Sequence, residues 1–349
     1  MAAGAGCDAD PAPGGHARTP AAFPITLRVQ AVRDLSPSVR EIAFTPPPGL
    51  SFTPGAHLRL LARLPGGRGD LRRYSLVGLP RPGEPWRIAV KRVAASRGGS
   101  MFMHALVAGD EVQAQAPVNH FELPAGRRAT WILAGGIGIT PLVGHALTLA
   151  AQRGADLRMD YAAHDAADLV FADTLRAALG DRLCTHASSL GQRLPIAERI
   201  AALPTDAQAL ACGPVRLLDA LRDAWASAGR PAQRLRFETF GTSGHAAAEP
   251  FWVSVPRHHL RFEVGADRSL LDALAEHGVA CLSDCLRGEC GLCCVDVVEL
   301  QGTIDHRDVF MTREEQQRND RLCACVSRVT GGGVVIDSAW RPDTLPSVR

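Results

Sequence analysis

Residues 281–294 read CLSDCLRGECGLCC, five of the chain's ten cysteines within fourteen positions. Thiols this crowded serve a disulfide framework, a zinc site or an iron-sulfur cluster, and the rest of the sequence has to choose. The opening stretch MAAGAGCDADPAPGGHARTP lacks an apolar core segment, so residues 1–22 read as a flexible tail and the chain as cytoplasmic. In a reducing compartment a cysteine run points to metal and not to disulfides. Cys285, Cys290 and Cys293 are spaced C-x4-C-x2-C, the plant-type pattern for a 2Fe-2S cluster, with a fourth thiolate to come from Cys323 or Cys325. Gly288 and Gly291 remove side chains where the backbone must curl and aim N–H groups at sulfur. Structural zinc usually arrives as two C-x2-C knuckles, and only Cys290 and Cys293 form one, so the spacing favours iron-sulfur over zinc. Cys294 follows a ligand in a strand and faces the other way, which makes it a core thiol, and Cys7, Cys184 and Cys281 read the same way.

A chain of 349 residues is too long for one ordinary core and divides into two or three domains. Its formal charge of +2 points to neither nucleic acid nor a membrane surface. Lys91 is the single lysine among 38 basic residues, a bias of coding more than of phosphate binding. The uncharged stretch 129–151 is long enough to span a bilayer, but Gly135, Gly136, Gly138 and Pro141 interrupt it. It reads instead as a buried strand, a glycine turn and a helix, with no membrane span.

Texture changes three times. Residues 23–124 hold short alternating strands (ITLRVQAVR, VREIAFT, HLRLLARL, WRIAVKR) between Pro and Gly turns, which predicts an antiparallel β-barrel. Residues 125–240 alternate strand and helix, the rhythm of an α/β parallel sheet. Residues 241–250 read as a linker, and 251–349 as a compact α+β segment around the cysteine loop. Charge divides at the same place, 27 basic against 21 acidic residues before position 251 and 11 against 15 after it, so the last segment can dock on basic surfaces.

Each domain carries further motifs. GGIGITP at 135–141 is near a dinucleotide turn, but Pro141 stands where a third glycine should be. ACGP at 211–214 ends a strand at the carboxyl edge of the parallel sheet, where such sheets bind ligands. RRYS at 72–75 lies on a strand, and SRGGSMFMH at 96–104 offers glycine N–H groups and the Ser100 hydroxyl at a helix start. HRD at 306–308 is no kinase loop, because neither the following asparagine nor a glycine-rich loop with its lysine is present.

In this order the motifs R-x-Y-S, R-G-G-S, G-G-I-G-I-T-P, C-G-P, F-E-x-F (Phe237 to Phe240), C-x4-C-G-x-C, HRD and C-V-S-R resemble the phthalate dioxygenase reductase family, vanillate demethylase reductases included. The resemblance covers the chain after residue 22 and implies a flavin barrel, a nicotinamide-nucleotide domain and a plant-type ferredoxin of β-grasp fold. It implies that Arg72, Tyr74 and Ser75 lie along FMN, and that Arg97, Gly98, Gly99 and Ser100 hold its phosphate. Gly135, Gly136, Gly138 and Thr140 would pass under NADH, Cys212, Gly213 and Pro214 would flank the nicotinamide, and Phe240 would cover the flavin. The HRD run would be structural. Of the two candidates for the fourth ligand, Cys323 matches the common ferredoxin interval, whereas Cys325 directly precedes V-S-R as the family's ligand does, so Cys325 is expected; the two could share one strand face.

A nicotinamide gives up two electrons and a 2Fe-2S cluster accepts one, so the chain reads as a relay from NADH through flavin to cluster. The resemblance implies a monomeric partner of a Rieske non-haem iron oxygenase. A reductase of the same architecture serving another acceptor, such as a cytochrome, and a non-redox zinc module are the competing readings. His164 and Asp165 stand where a 2′-phosphate would need arginines, which predicts NADH over NADPH.

Overall fold

The computed structural model describes residues 25–63, 69–93, 98–124, 126, 128–240 and 244–338. Arg97 lies outside the described residues. The first sheet contains β1 (Ile25–Asp34), β2 (Val39–Phe44), β3 (His57–Arg63), β4 (Gly69–Ser75), β5 (Trp86–Lys91) and β6 (Glu111–Val118), with the helix α1 (Gly99–Ala105) between the last two. Its order is β4-β3-β6-β1-β2-β5, and a bridge from Leu76 to Ile88 joins the two ends into a barrel. Period-two alternation builds its core: Leu58, Leu60 and Ala62 of β3 are fully buried, while Arg59 and Leu61 face outward.

The second sheet is wholly parallel: β7 (Thr130–Gly135), β8 (Leu157–Ala163), β9 (Leu183–Ala187), β10 (Gln208–Cys212) and β11 (Leu235–Glu238), in the order β11-β10-β7-β8-β9. Helices α2 (Thr140–Ala150), α3 (Ala172–Leu179), α4 (Ile196–Ala201) and α5 (Val215–Ser227) cover it. Every residue of TWILAG is buried because β7 feeds two cores, Ile132 and Ala134 on one face and Trp131 and Leu133 on the other. The stretch 129–151 is thus β7, a 3-10 turn and α2, and no helix among the described residues is long and apolar enough to cross a membrane.

The third sheet mixes directions: β12 (Phe251–Val255), β13 (Leu260–Val264), β14 (Cys294–Asp305), β15 (Arg321–Cys323) and β16 (Arg328–Ser338), in the order β13-β12-β16-β14-β15 with β12 parallel to β16. Helices α6 (Leu270–Glu276) and α7 (Arg313–Arg318) complete it. Ser269 caps α6 and Thr312 forms a capping box with Glu315 on α7.

The domains are pinned to one another by specific contacts. Asp168, after β8, accepts hydrogen bonds from Ser36, Ser38 and the lone Lys91 at 2.7, 2.7 and 2.8 Å, which fastens the barrel to the parallel sheet. On α2, a Cβ at Gly144 would meet the Gly78 carbonyl at 2.5 Å, so only glycine allows this approach. The stretch read as a linker is strapped to the third domain: the His245 N–H donates to Asp305 at 2.9 Å and Arg307 to the Ala246 carbonyl at 3.1 Å.

Candidate functional site

In the barrel, the motif RRYS occupies the end of β4, and its alternation sorts the side chains. Arg72 and Tyr74 share one face, Tyr74 packing against the barrel core, where burial raises its hydroxyl pKa. Arg72 pairs with Asp70 at 2.7 Å and lies across Gly99, where an added Cβ would meet its Nε at 2.7 Å. The chain therefore brings two separated motifs, R-x-Y-S and G-G-S, into contact. Gly98 opens α1 with φ 96°, and the Ser100 hydroxyl accepts from the Val93 N–H at 3.3 Å. Ser75 is buried opposite His57 of β3.

In the parallel sheet, the carboxyl ends of β7 and β10 are neighbours, with Cys212 in register with Ala134. Their loops touch backbone to backbone. A Cβ at Gly138 would meet the Cys212 carbonyl at 2.3 Å, and one at Gly135 would strike Leu217 and Pro214 at 2.6 and 2.8 Å. Gly136 has φ 53°, Thr140 donates to the Ile137 carbonyl at 3.0 Å, and Gly213 lies 3.1 Å from Gly135 by the same measure. Cys212 is fully buried, which pushes its thiol pKa up, and Phe240 packs at the rim of the same core. His164 and Asp165 follow β8 on the same sheet edge, both exposed.

The cysteine loop runs from α6 to β14. N–H groups of Arg287, Glu289 and Cys290 all aim at the Cys285 sulfur, at 3.4, 3.2 and 3.4 Å. Gly288 and Gly291 have φ 74° and 73°, and a Cβ there would strike Asp308 at 2.7 Å or the Phe310 ring at 2.3 Å. Asp308 of the HRD run is itself buried and accepts from the Met311 N–H at 3.0 Å and Ser327 at 3.1 Å, a supporting role. Contact with Cys325, with backbone N–H groups added, holds the Cys285 thiol down to about 5 against its burial. Cys325 touches both Cys285 and Cys293. Cys323 touches Cys293 and Cys294 instead, its sulfur 3.2 Å from that of Cys294. Cys323 and Cys325 do not share a strand face: β15 ends at Cys323, and the turn after it carries Cys325 toward the loop. Cys281 is half-buried against the same core, with its thiol pushed up to about 11 by burial.

This loop docks on both other domains. Arg59 and Arg73 stand directly opposite one another on the outer face of β3 and β4. Like charges so placed repel, and Asp284, next to Cys285, lies between them: its carboxylate is 3.5 Å from Arg59 and its carbonyl accepts from Arg73. On the other side Arg287, 5% exposed, pairs with Glu238 at the end of β11 and with Glu289 at 3.0 Å. Glu289 in turn accepts from the Thr239 N–H at 2.7 Å. Between these contacts a cleft of about 450 Å³ is lined by His120 and Phe121 of the barrel, Arg236 and Phe237 of the parallel sheet, and Cys285 and Cys290. His57, its ring centroid 5.8 Å from that of His120, is buried with Nε2 unpartnered; burial, with Arg287, Arg73 and Arg59 nearby, lowers its pKa to about 2 and keeps it neutral.

Residues 255–330 match the 2Fe-2S iron-sulfur cluster binding domain family. The sequence is 35% identical to the heme-dependent oxidative N-demethylase beta subunit of Ectopseudomonas mendocina (strain ymp), over 90% of this chain and 98% of that one. The solved structure of phthalate dioxygenase reductase, a modular structure for electron transfer from pyridine nucleotides to 2Fe-2S, aligns with TM-score 0.67 at 30% identity over 90% of this chain and 97% of its own. The chain belongs to the phthalate dioxygenase reductase family. It also aligns with full-length CYP116B46 from Tepidiphilus thermophilus (TM-score 0.61, 34% identity, 89% of this chain), of which it spans 41%.

A member of this family is a flavin and iron-sulfur oxidoreductase using NADH, and the residues present fit those groups. Arg72 lies against Gly99, so a guanidinium stands beside glycine backbone, the donor chemistry a phosphate takes; His57, with its Nε2 orphaned, belongs to the other face of β3 and β4. Among the described residues no three donor side chains close on a single ion-sized point. Cys293 stands beside both Cys323 and Cys325, and Cys285 beside Cys325, so thiols of the loop and of the turn after β15 come together, the kind of donor set a 2Fe-2S cluster takes. Sequence reasoning missed Arg59, Arg73, Asp284, Glu238, Arg287 and Glu289, the docking set. Only the charge difference about position 251 hinted at it, and that hint was partial, since Arg287 supplies the cation of its own pair.

Proposed function

We propose that this chain is the reductase component of a Rieske-type aromatic-ring oxygenase or demethylase system, working as a monomer and passing electrons from NADH through FMN to the 2Fe-2S cluster and on to the oxygenase. The observation that carries the reading is the seating of the Asp284–Cys285 loop on β3 and β4, the strands that bear Arg72, Tyr74 and Ser75. When bound, the flavin accepts a pair of electrons and the cluster takes them one at a time. Everything else is positioning by the chain. Arg72, Tyr74 and Ser75 hold FMN, with Gly98, Gly99 and Ser100 at its phosphate; Gly135, Gly136, Gly138 and Thr140 cradle NADH against Cys212, Gly213 and Pro214, and Phe240 covers the flavin. Cys285, Cys290, Cys293 and Cys325 hold the cluster. No site for an aromatic substrate is required here, because that chemistry belongs to the partner.

A second acceptor class has its own support: one similar relative is the beta subunit of a heme-dependent oxidative N-demethylase, and one similar structure is a self-sufficient cytochrome P450 monooxygenase. Reconstitution separates them. Purified chain with NADH should support product formation by a Rieske oxygenase; turnover with a haem oxygenase alone would assign the second acceptor instead. Mass measurement of the released flavin tests FMN directly, and a dominant FAD mass would overturn that assignment.

A further inference from the structure

Two buried cysteines of the third domain stand outside the proposed four-thiolate set, and the fold sets them against each other. Cys294 on β14 and Cys323 on β15 are directly opposite in the antiparallel register, and their sulfurs are 3.2 Å apart. The phase of the ladder decides how close such a pair can come. The Ala324 N–H donates to the Cys293 carbonyl and the Val297 N–H to the Asp320 carbonyl, so 293/324 and 297/320 are hydrogen-bonded pairs. Alternation then makes 294/323 a non-hydrogen-bonded pair. Such pairs bring Cα atoms to about 4.5 Å, within the range that a disulfide bridges without backbone movement. Cys294 directly follows Cys293, and Cys325 lies two residues beyond Cys323. β15 itself is only Arg321–Cys323, so the pairing that steadies the Cys325 turn is short.

We propose that Cys294 and Cys323 form a reversible disulfide in the cluster-bearing protein, a staple between the two strands that carry ligands; this rests on Cys325, and not Cys323, being the fourth ligand. The oxidant is hydrogen peroxide, which a reduced flavin produces when dioxygen takes its electrons. Cys294 is 9% exposed and Cys323 fully buried, so Cys294 meets the peroxide first. Its sulfur attacks one peroxide oxygen, the O–O bond breaks, and water leaves a sulfenic acid behind. The Cys323 sulfur then attacks that sulfur, the S–O bond breaks, and a second water departs. One peroxide is reduced, two thiols are oxidised, and the protein loses two hydrogens. A dithiol reverses the bond by exchange. The staple holds β15 on β14 and so opposes the strand separation through which a cluster would be lost.

The test treats holoprotein with a small excess of hydrogen peroxide, follows the visible absorption of the cluster, then alkylates, digests and weighs the peptides. The expected result is a Cys294–Cys323 linked peptide, loss of two hydrogens, cluster absorption retained, reversal by dithiothreitol, and several-fold slower bleaching by an iron chelator than in the reduced protein. Cys294→Ser and Cys294→Ala should abolish both the link and the protection. Absence of the linked peptide while the cluster survives overturns the proposal, as does linkage among Cys285, Cys290, Cys293 and Cys325 accompanied by bleaching. Should Cys323→Ser lack the cluster before any peroxide is added, the ligand reading itself fails and takes the staple with it, an outcome distinguishable from the other two.

Discussion

Replacing Arg287 by methionine tests whether electrons leave the flavin only when the cluster loop is docked. The guanidinium lies between Glu238, 2% exposed, and Glu289, whose other contact is the Thr239 N–H. Methionine fills similar space but leaves two largely buried carboxylates with no cation between them. Removing one partner of a buried pair costs about 3–5 kcal/mol, and at about 1.4 kcal/mol per tenfold the lower figure alone disfavours the docked arrangement roughly a hundredfold. Arg59 and Arg73 still hold Asp284, but that half-exposed contact contributes only about 1 kcal/mol and does not offset the loss. NADH-dependent ferricyanide reduction, which needs the flavin alone, should stay near wild type. Cytochrome c reduction, which passes through the cluster, should fall by about tenfold or more with cluster absorption intact. The defect should also depend on pH. Burial already raises the Glu289 pKa although Arg287 opposes it, and without Arg287 it rises further. A carboxyl whose pKa is raised by docking favours docking when protonated, so the defect should shrink as pH falls toward that raised value and deepen as pH rises. Glu238→Gln in the same chain should restore part of the rate. Equal loss in both assays, or wild-type cytochrome c reduction, would refute the reasoning.

Three further outcomes are expected. Cys325→Ser should lose cluster absorption and cytochrome c reduction while keeping flavin and ferricyanide reduction, and Cys323→Ser should leave all of these close to normal; the reverse pattern would exchange the two roles. Gly138→Ala places a methyl 2.3 Å from the Cys212 carbonyl, so the two nucleotide loops must part, and the KM for NADH should rise with little change in flavin content. His164 and Asp165 are exposed beyond β8, so Asp165→Arg should raise kcat/KM for NADPH relative to NADH, and comparable kcat/KM for both nucleotides in the wild type would contradict the NADH preference.

What the sequence disclosed follows from how local each signal is. The barrel strand HLRLLARL alternates cleanly because one face packs and the other does not, WRIAVKR alternates only in part because Ala89 packs on a second core, and the spacing of Cys285, Cys290 and Cys293 is set within nine residues. β9, LCTHA, shows neither alternation nor an apolar run, since it is a half-buried edge strand whose His186 pairs with Asp160 at 2.7 Å, and it was invisible. α4 is six residues long and was likewise unreadable. The docking set is non-local: Arg59 and Arg73 become a pair only through the register of β3 with β4, and Glu238 meets Arg287 across 49 positions. The two-residue spacing of Cys323 and Cys325 suggests one strand face, but β15 ends at Cys323 and the turn beyond it takes Cys325 elsewhere.

Anaerobic rapid mixing of the purified chain with NADH, followed by visible absorption and by electron paramagnetic resonance, tests the relay most directly. The flavin band should bleach first and the one-electron signal of a reduced 2Fe-2S cluster should then appear, delayed in Arg287→Met and absent in Cys325→Ser. A colourless protein with zinc at the cysteines, or a cluster that stays oxidised while the flavin is fully reduced, would contradict it.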